Sequence, residues 1–316
     1  MTPPAYISWT GHGTANGEPP GVFTDAVMHV FGIKTDRQAT QALVDKLLKP
    51  VAGDRVHYTS ITDMALITFM DVAKCTTPTE VIGWVAGREC AIFVPLLESH
   101  GLNVIEDRVV LWSPYIFINY CIGLVTGREV WGWPKVIAEI AMPARQVGSR
   151  PTFQCTTMIF PKFAVDTQGI NAPLITVTGP APFVVRNPEW NDVRVAARHI
   201  VARVAGELFD LVADPLGLDP ISPSIVLKQF RDSNSPKLAC FQAIVNSPVR
   251  FTSFAGGGFH GPGFTAEITT CDSHQIVQDL LGRAPDPGTT MLPVEFATWL
   301  AFDFEALAGS VVVQSA

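Results

Sequence analysis

Short runs of β-branched, aliphatic and aromatic residues, bounded by turn residues, recur along most of this chain and limit the folds open to it. The runs lie at 65–72, 91–97, 108–118, 152–160, 174–177, 224–230, 238–245 and 264–269. Segments of this length and composition, separated by frequent glycine and proline, are typical of a buried sheet. The sequence therefore predicts a mainly β protein.

Helical periodicity appears in three segments, at 35–48, 190–212 and 273–281. Thr35 and Gln38 suit a capping box for the first, and the third ends at Gly282. Apolar residues of the second segment recur on one face: Val193, Ala197, Ile200, Val204, Leu208 and Leu211. The glycine-rich stretch 256–263 is interpreted as a loop. We predict one α+β domain over 1–316, with 1–23 as an extended N-terminal segment.

Composition excludes several classes of function. The chain has 316 residues, 47% of them hydrophobic, and a net charge of −7 without a run of Lys or Arg, which argues against nucleic acid or an anionic membrane as partner. The apolar stretches 91–97 and 115–126 are shorter than the roughly 20 residues of a membrane span and are interpreted as buried strands. Scattered cysteines and the absence of an N-terminal signal pattern predict a cytoplasmic protein. Dispersed histidines predict no metal, and no motif predicts a cofactor.

One lysine has unusual neighbours. The segment Gly-Arg-Glu-Val-Trp-Gly-Trp-Pro-Lys ends at Lys135, which is flanked by Trp131, Trp133, Val136 and Ile137. Burial disfavours the ammonium and favours a neutral, nucleophilic amine, which can form a Schiff base with a ketone or aldehyde. The alternative is a surface lysine at a turn, with its stem packed on an indole.

Gly127-Arg128-Glu129 followed by Gly132-Trp133-Pro134-Lys135 resembles the signature of the acetoacetate decarboxylase family, and the weaker similarity extends over about 24–307. The resemblance implies a closed antiparallel β-barrel or cone flanked by a few helices, with Lys135 pointing into a closed apolar interior. It also implies homo-oligomers. In the family's reaction the lysine forms an imine with a β-keto acid, and the imine accepts the electrons released when carbon dioxide leaves.

The resemblance also implies roles for further residues. Two carboxylates near the lysine correspond to Glu89 and, less closely, Asp71; Glu89 could instead pair with Arg88, and Asp71 could be structural. Trp131 and Trp133 are expected in the pocket. Arg128 and Glu129 are expected to hold the Lys135 segment, as an ion pair or through backbone hydrogen bonds. His260 belongs either to the pocket rim or to a plain surface loop.

Two departures from the family pattern bear on the substrate. Val136 occupies the position of a second lysine, and Ala26 the approximate position of an arginine, so two positive charges are missing. We predict a Schiff-base lyase that decarboxylates a small β-keto acid. An aldolase-dehydratase that joins a keto acid to an aldehyde through the same enamine is the first alternative. A non-catalytic binding protein for a small apolar molecule is the second.

Overall fold

The computed structural model describes residues 5–7, 11, 16–80, 83–100, 107–144, 146–185, 187–205 and 221–315. Strands account for most of the secondary structure. They are β1 Gly21–Lys34, β2 His57–Ser60, β3 Met64–Thr76, β4 Val85–Ser99, β5 Arg108–Ile118, β6 Lys135–Ala141, β7 Gln146–Val147, β8 Thr152–Ile159, β9 Ile170–Thr178, β10 Phe183–Val184, β11 Ile221–Ser222, β12 Ser224–Arg231, β13 Ala239–Asn246, β14 Val249–Phe259, β15 Thr265–Thr269, β16 Thr289–Ala306 and β17 Ser310–Gln314.

Helices are few and short in the described residues. They are α1 Arg37–Leu47, α2 Lys49–Ala52, α3 Cys121–Thr126, α4 Val193–Ala205 and α5 Ile276–Leu281, and a single π-helical turn spans Gly127–Trp131. The prediction of a mainly β, α+β protein is confirmed. No helix in the described part of the chain is long and apolar enough to cross a membrane.

Nine of the strands pair into a closed ring. Their order is β5-β6-β8-β9-β15-β16-β1-β3-β4, and β4 pairs with β5 to complete the circuit. Every pair in this ring is antiparallel except β5 with β6, where Ile116 lies opposite Lys135. Strands β12, β13 and β17 continue the sheet from β5, and β14 pairs with β16. The path of the sheet therefore places Lys135 next to the only parallel junction among the ring strands that the structure describes.

One face of the ring forms the main hydrophobic core. Every ring strand contributes a buried side chain to it: Phe31, Phe69, Ile92, Phe117, Ile140, Phe153, Leu174, Ile268 and Ala297. Because successive side chains of a strand point to opposite faces, the alternate positions lie on the outer face of the ring. Met28, Met70 and Glu89 are among them.

The eight predicted strands correspond to β3, β4, β5, β8, β9, β12, β13 and β15. The segment 115–126, however, is not one strand, since β5 ends at Ile118 and α3 begins at Cys121. A short apolar run does not by itself distinguish a buried strand from a buried helix. The predicted loop at 256–263 is also partly wrong, because β14 runs to Phe259. The strand has glycine at position 257 because it packs closely against its neighbour: a Cβ there would lie 2.8 Å from the Leu300 side chain.

All three helix predictions need correction at their starts, and α4 begins at Val193 instead of residue 190. The N-cap of α1 is Asp36, not Thr35; its carboxylate accepts hydrogen bonds from the backbone N–H groups of Gln38 and Ala39 at 2.8 and 2.9 Å. The last helix starts at Ile276 and ends, as predicted, before Gly282, which has a φ of 63°. The predicted helix 190–212 corresponds to α4, and residues 206–220 lie outside the described residues.

Candidate active site

A bent segment between α3 and β6 carries the lysine. After the π turn, Gly132 has a φ of 91°, a backbone conformation that favours glycine. The N–H groups of Gly132 and Trp133 both donate to the carbonyl of Gly127 at 2.9 Å, and the N–H of Lys135 donates to the carbonyl of Trp133 at 2.7 Å. These bonds fold the segment back on itself, so that β6 begins at Lys135.

Side chains fasten this segment to the rest of the fold. The Arg128 guanidinium donates to the carbonyl of Lys135 at 3.1 Å, and the Trp131 indole N–H donates to the carbonyl of Leu307 at 2.8 Å. Glu129 accepts a hydrogen bond from the Asn16 amide at 2.8 Å. Arg128 and Glu129 thus each bond to a different partner, and both contacts constrain the backbone that presents Lys135.

Lys135 Nζ lies 2.8 Å from Glu89 Oε2, and the two side chains are only 14% and 19% exposed. Glu89 lies on β4, opposite Ile118 of β5, and Lys135 lies opposite Ile116 of the same strand. The pairing of β5 with both neighbours therefore brings the amine and the carboxylate together. At this distance the carboxylate can take a proton from the ammonium, which must lose one before it can attack a carbonyl.

The two charged groups line a cavity of about 360 Å³ on the outer face of the ring, beneath α4. Lys135 faces this cavity, whereas Val136 packs against the main core on the other face of β6. Strand β14 and the residues Pro223 and Ser224 also contribute to its wall, since β11 pairs with β14 and β12 pairs with β5. The family resemblance predicted a lysine that points into a closed apolar interior, and the amine lines this mainly apolar cavity, which strands and α4 surround. Trp131 and Trp133 line the same cavity, and a second recess of about 80 Å³ adjoins Lys135 on its other side.

Tyr120 forms another part of the wall around Lys135, in contact with both recesses. Its ring fills space that glycine leaves: a Cβ on Gly87 or on Gly123 would lie 2.2 or 2.4 Å from ring atoms of Tyr120. Burial raises the pKa of the Tyr120 phenol well above its usual range, and burial likewise raises the pKa of the Cys75 thiol to which Tyr120 is hydrogen-bonded. Both groups therefore stay protonated at neutral pH beside the amine.

Two other predicted residues lie elsewhere. Asp71 forms a salt bridge with Arg88, with Oδ1 3.2 Å from Nε, and Asp71 is not among the residues that line the cavity of Lys135. His260 follows β14, with its Nε2 3.0 Å from Nδ1 of His29 and its ring near Phe183 and Phe264. That position borders the main core and not the cavity. Of the three predicted catalytic residues, the structure brings Lys135 and Glu89 together and places Asp71 apart.

Comparison with known proteins identifies the family of this chain. The family model described as acetoacetate decarboxylase matches residues 2–159, half of the chain, and the match includes both Glu89 and Lys135. The chain belongs to the acetoacetate decarboxylase family. No curated protein sequence matches it.

Solved structures of acetoacetate decarboxylases and related enzymes share the fold. The acetoacetate decarboxylase of Legionella pneumophila is 11% identical, with a TM-score of 0.64 over 99% of this chain and 93% of that one. An acetoacetate decarboxylase-like enzyme from Sphingomonas wittichii is 12% identical, with a TM-score of 0.56 over 94% and 93%. The enduracididine biosynthesis enzyme MppR, complexed with the condensation product of pyruvate and imidazole 4-carboxaldehyde, is 13% identical, with a TM-score of 0.52 over 99% and 98%.

Sequence reasoning did not identify the other walls of the site in this family member. Helix α4 covers the cavity, and Arg194 in its first turn is one of four charged residues in the lining, with Arg88, Glu89 and Lys135. The Arg88 guanidinium itself is bonded to Asp71 and to the carbonyl of Ile140. Within the described residues Arg194 makes no ion pair. The apolar periodicity of α4 predicted a buried face, but periodicity cannot say which surface the helix covers. No feature of the sequence indicated a role for Tyr120 in the site, since it lies in the run 115–126 that was interpreted as a buried strand.

The contacts of Gly127 explain why the motif of this chain begins with a glycine. Its φ of −58° suits any residue, but a Cβ there would lie 2.6 Å from Cδ and 2.9 Å from Cε of Lys135. The lysine stem therefore packs directly against the bare backbone of Gly127, and this contact aims the amine at Glu89.

Gly127→Ala is expected to displace the amine while leaving the fold nearly intact. We expect kcat to fall by about tenfold to a hundredfold, because displacement of a reacting group by about 1 Å costs that much. The temperature of thermal unfolding should change by only a few degrees. Gly148→Ala is the matched control, since a Cβ at Gly148 meets no atom within 4 Å. Unchanged kcat in Gly127→Ala would show that the lysine position is not held by this contact.

Proposed function

We propose that this protein is a Schiff-base-forming lyase that decarboxylates a β-keto acid through Lys135. The observation that supports it most directly is the 2.8 Å contact between Lys135 Nζ and Glu89 Oε2 at the wall of a mainly apolar cavity. A nucleophile within hydrogen-bond reach of a base is the arrangement that imine chemistry requires. Membership of the acetoacetate decarboxylase family supports the same reaction class.

Imine formation begins with the transfer of a proton from the Lys135 ammonium to Glu89. The free amine then attacks the ketone carbon of the substrate, so that a bond forms between Nζ and carbon and the carbonyl oxygen becomes a hydroxyl group. Glu89, now protonated, returns a proton to this oxygen, which leaves as water. The product is a protonated imine. One carboxylate thus acts first as base and then as acid, as its single short contact with Lys135 allows.

Carbon dioxide leaves when the bond between the carboxylate carbon and the α-carbon breaks. Its electron pair forms the double bond of an enamine, and the imine nitrogen loses its positive charge by accepting electrons. Protonation of the α-carbon and hydrolysis then release a ketone and the free lysine. The protonated imine favours this step, because its nitrogen accepts the electron pair of the breaking bond.

Arg194 supplies the cation that the sequence comparison left missing. Ala26, which stands near the expected arginine, is buried in an apolar cluster with Val72 and Phe302. Arg194 is an exposed residue of α4 two positions before Ala196, which belongs to the same cluster, and it is among the residues that line the cavity. Charge-assisted hydrogen bonds from an arginine fit a carboxylate well. We therefore assign Arg194 to the substrate carboxylate before decarboxylation.

Aldol condensation followed by dehydration is the second candidate. It uses the same imine and enamine, but the α-carbon attacks an aldehyde instead of a proton. The shared fold with MppR, whose structure contains a condensation product of pyruvate and an aldehyde, is the observation in its favour. Analysis of the products separates the two: decarboxylation releases carbon dioxide and a saturated ketone, whereas condensation gives a conjugated enone.

Borohydride trapping tests the common intermediate. Incubation with acetoacetate, pyruvate or a longer 3-oxo acid, followed by borohydride, is expected to leave a reduced adduct on Lys135 that peptide mass mapping locates. Lys228 is the other amine to exclude, because burial lowers its pKa, although its Nζ donates to the carbonyl of Val130 at 2.9 Å. If every carbonyl compound leaves Lys135 unmodified, the Schiff-base proposal is wrong.

A further inference from the structure

The cavity beneath α4 is much longer than a four-carbon keto acid needs. On β4 alone its lining runs from Gly87 through Glu89 and Phe93 to Pro95. Phe93 lies four residues beyond Glu89, or about 13 Å along the strand. The volume of about 360 Å³ falls within the range of roughly 300–1,000 Å³ found for sites that bind drug-sized ligands. Space therefore continues well past the reacting amine.

The two ends of this cavity differ in chemistry. Glu89 and Lys135 lie close to Cys75, and Arg194 is two positions before Ala196 on α4; Cys75 and Ala196 belong to one apolar cluster. The far end is built from a second apolar cluster, with Val30, Leu66, Phe93 and Val204, and Ile200 contacts both clusters. The lining is therefore polar at the reacting end and apolar at the other.

Apart from Ser224, which lies beside Leu111 near Pro95, the hydroxyl groups of the far end already have hydrogen-bond partners. Thr62 lines it, but its hydroxyl already donates to the carbonyl of Val204 at 2.6 Å. Thr68 donates to the carbonyl of Ala91 at 3.4 Å. A polar substituent placed here would lose its water without gaining a partner, which costs free energy. An apolar substituent placed here is removed from water, and this lowers the free energy of binding just as burial of core side chains lowers the free energy of folding.

We infer that the substrate is a 3-oxo acid with an unbranched alkyl tail of medium length, whose keto group reacts at Lys135 and whose tail lies between α4 and the outer face of β1, β3 and β4. Because the lining on β4 extends about 13 Å from Glu89 to Phe93, an alkyl chain can reach from the amine to the apolar end, whereas a compact ring system cannot. This inference rests on the proposed Schiff-base function, since it is Lys135 that places the keto group at the polar end.

Methyl ketones test the inference, because they form the same imine and are stable in solution. The ketone concentration that gives half-maximal borohydride trapping on Lys135 is to be measured for propanone, butan-2-one, octan-2-one and undecan-2-one with the full chain. Each added methylene should lower it by about threefold to fourfold, or on the order of 100-fold between butan-2-one and octan-2-one. Equal values for these two ketones would overturn the inferred tail and leave the Schiff-base reaction standing.

Substitutions on α4 locate the tail. Val204→Phe fills the far end and should lower the preference for octan-2-one over butan-2-one by at least tenfold. Val195→Phe makes the same change on the same helix, where the side chain is 39% exposed and does not line the cavity, and should keep the wild-type preference. Equal preferences in Val204→Phe and Val195→Phe would overturn the assigned position of the tail.

Calorimetric titration with the same ketones keeps the inference testable if trapping fails. An absence of adducts with every ketone would contradict the proposed function. A dissociation constant that falls with chain length would still support the apolar tail site, and a dissociation constant independent of chain length would overturn it.

Discussion

Lys135→Met is expected to lower kcat/KM for a β-keto acid by about 10⁴-fold or more, because the substitution removes the nucleophile and with it the covalent route. Methionine is similar in length and apolar, so the stem can still pack on Gly127. The loss should appear in kcat, since the imine forms only after the substrate binds. Steady-state assays of carbon dioxide release, together with trapping and mass mapping, measure both effects.

Lys74→Met is the matched control for this loss. Lys74 lies on β3, one of the strands that line the cavity, but its side chain is exposed and does not face the cavity. Wild-type kcat is expected in this variant. If Lys135→Met retains more than a few per cent of the wild-type rate, the catalytic amine must be another residue, and Lys228 would be the next to replace.

Glu89→Gln is expected to lower kcat by about 10²–10⁴-fold, the usual contribution of a general acid or base. Glutamine has the shape of glutamate and can still accept a hydrogen bond from the Lys135 ammonium, but it cannot take the proton that the amine must lose. The rate of borohydride trapping should therefore fall as well. Glu89→Asp retains the carboxylate at a longer distance from Nζ and should recover part of the rate.

Glu139→Gln controls for the loss of a negative charge near the site. Glu139 lies on β6, like Lys135, but it is exposed and does not line the cavity, and its replacement should leave kcat unchanged. A pH–rate profile separates the two possible roles of Glu89. A base role predicts that the acidic limb of the profile changes in Glu89→Gln. An unaltered acidic limb with near wild-type kcat would mean that Glu89 is only a counter-ion.

Local patterns in the sequence predicted the elements well where each pattern has one physical interpretation. The alternating and buried runs identified β3, β4, β5 and β8, because their periodicity and composition suit a pleated, buried strand. The prediction of a single strand over 115–126 was wrong because an apolar run of that length packs equally well as a strand followed by a helix. The prediction of a loop at the glycines of β14 was wrong because a glycine there allows close packing against Leu300 of another strand, which the local sequence does not show.

The residues of the candidate site likewise divide into those that the sequence identified and those that it did not. Lys135 could be singled out because its segment combines two indoles, two glycines and a proline with one amine, and Glu89 because a resemblance to the family placed it ahead of an apolar strand. Asp71 had the right residue type, but it pairs with Arg88, across β3 and β4, and does not face the cavity. Arg194 and Tyr120 were not identified, since the other residues that line the cavity with them are distant in the chain.

The sequence by itself determined the class of fold, the strands near the site and the segment that ends at Lys135, because side-chain period, turn residues and local motif are properties of neighbouring positions. Only the tertiary structure decided that Lys135 faces the outer side of the ring beneath α4 and that Val136 faces the core. It also decided that Glu89 lies 2.8 Å from the amine. These facts depend on strand register and on where a helix packs, and register is set by contacts between residues far apart in the chain.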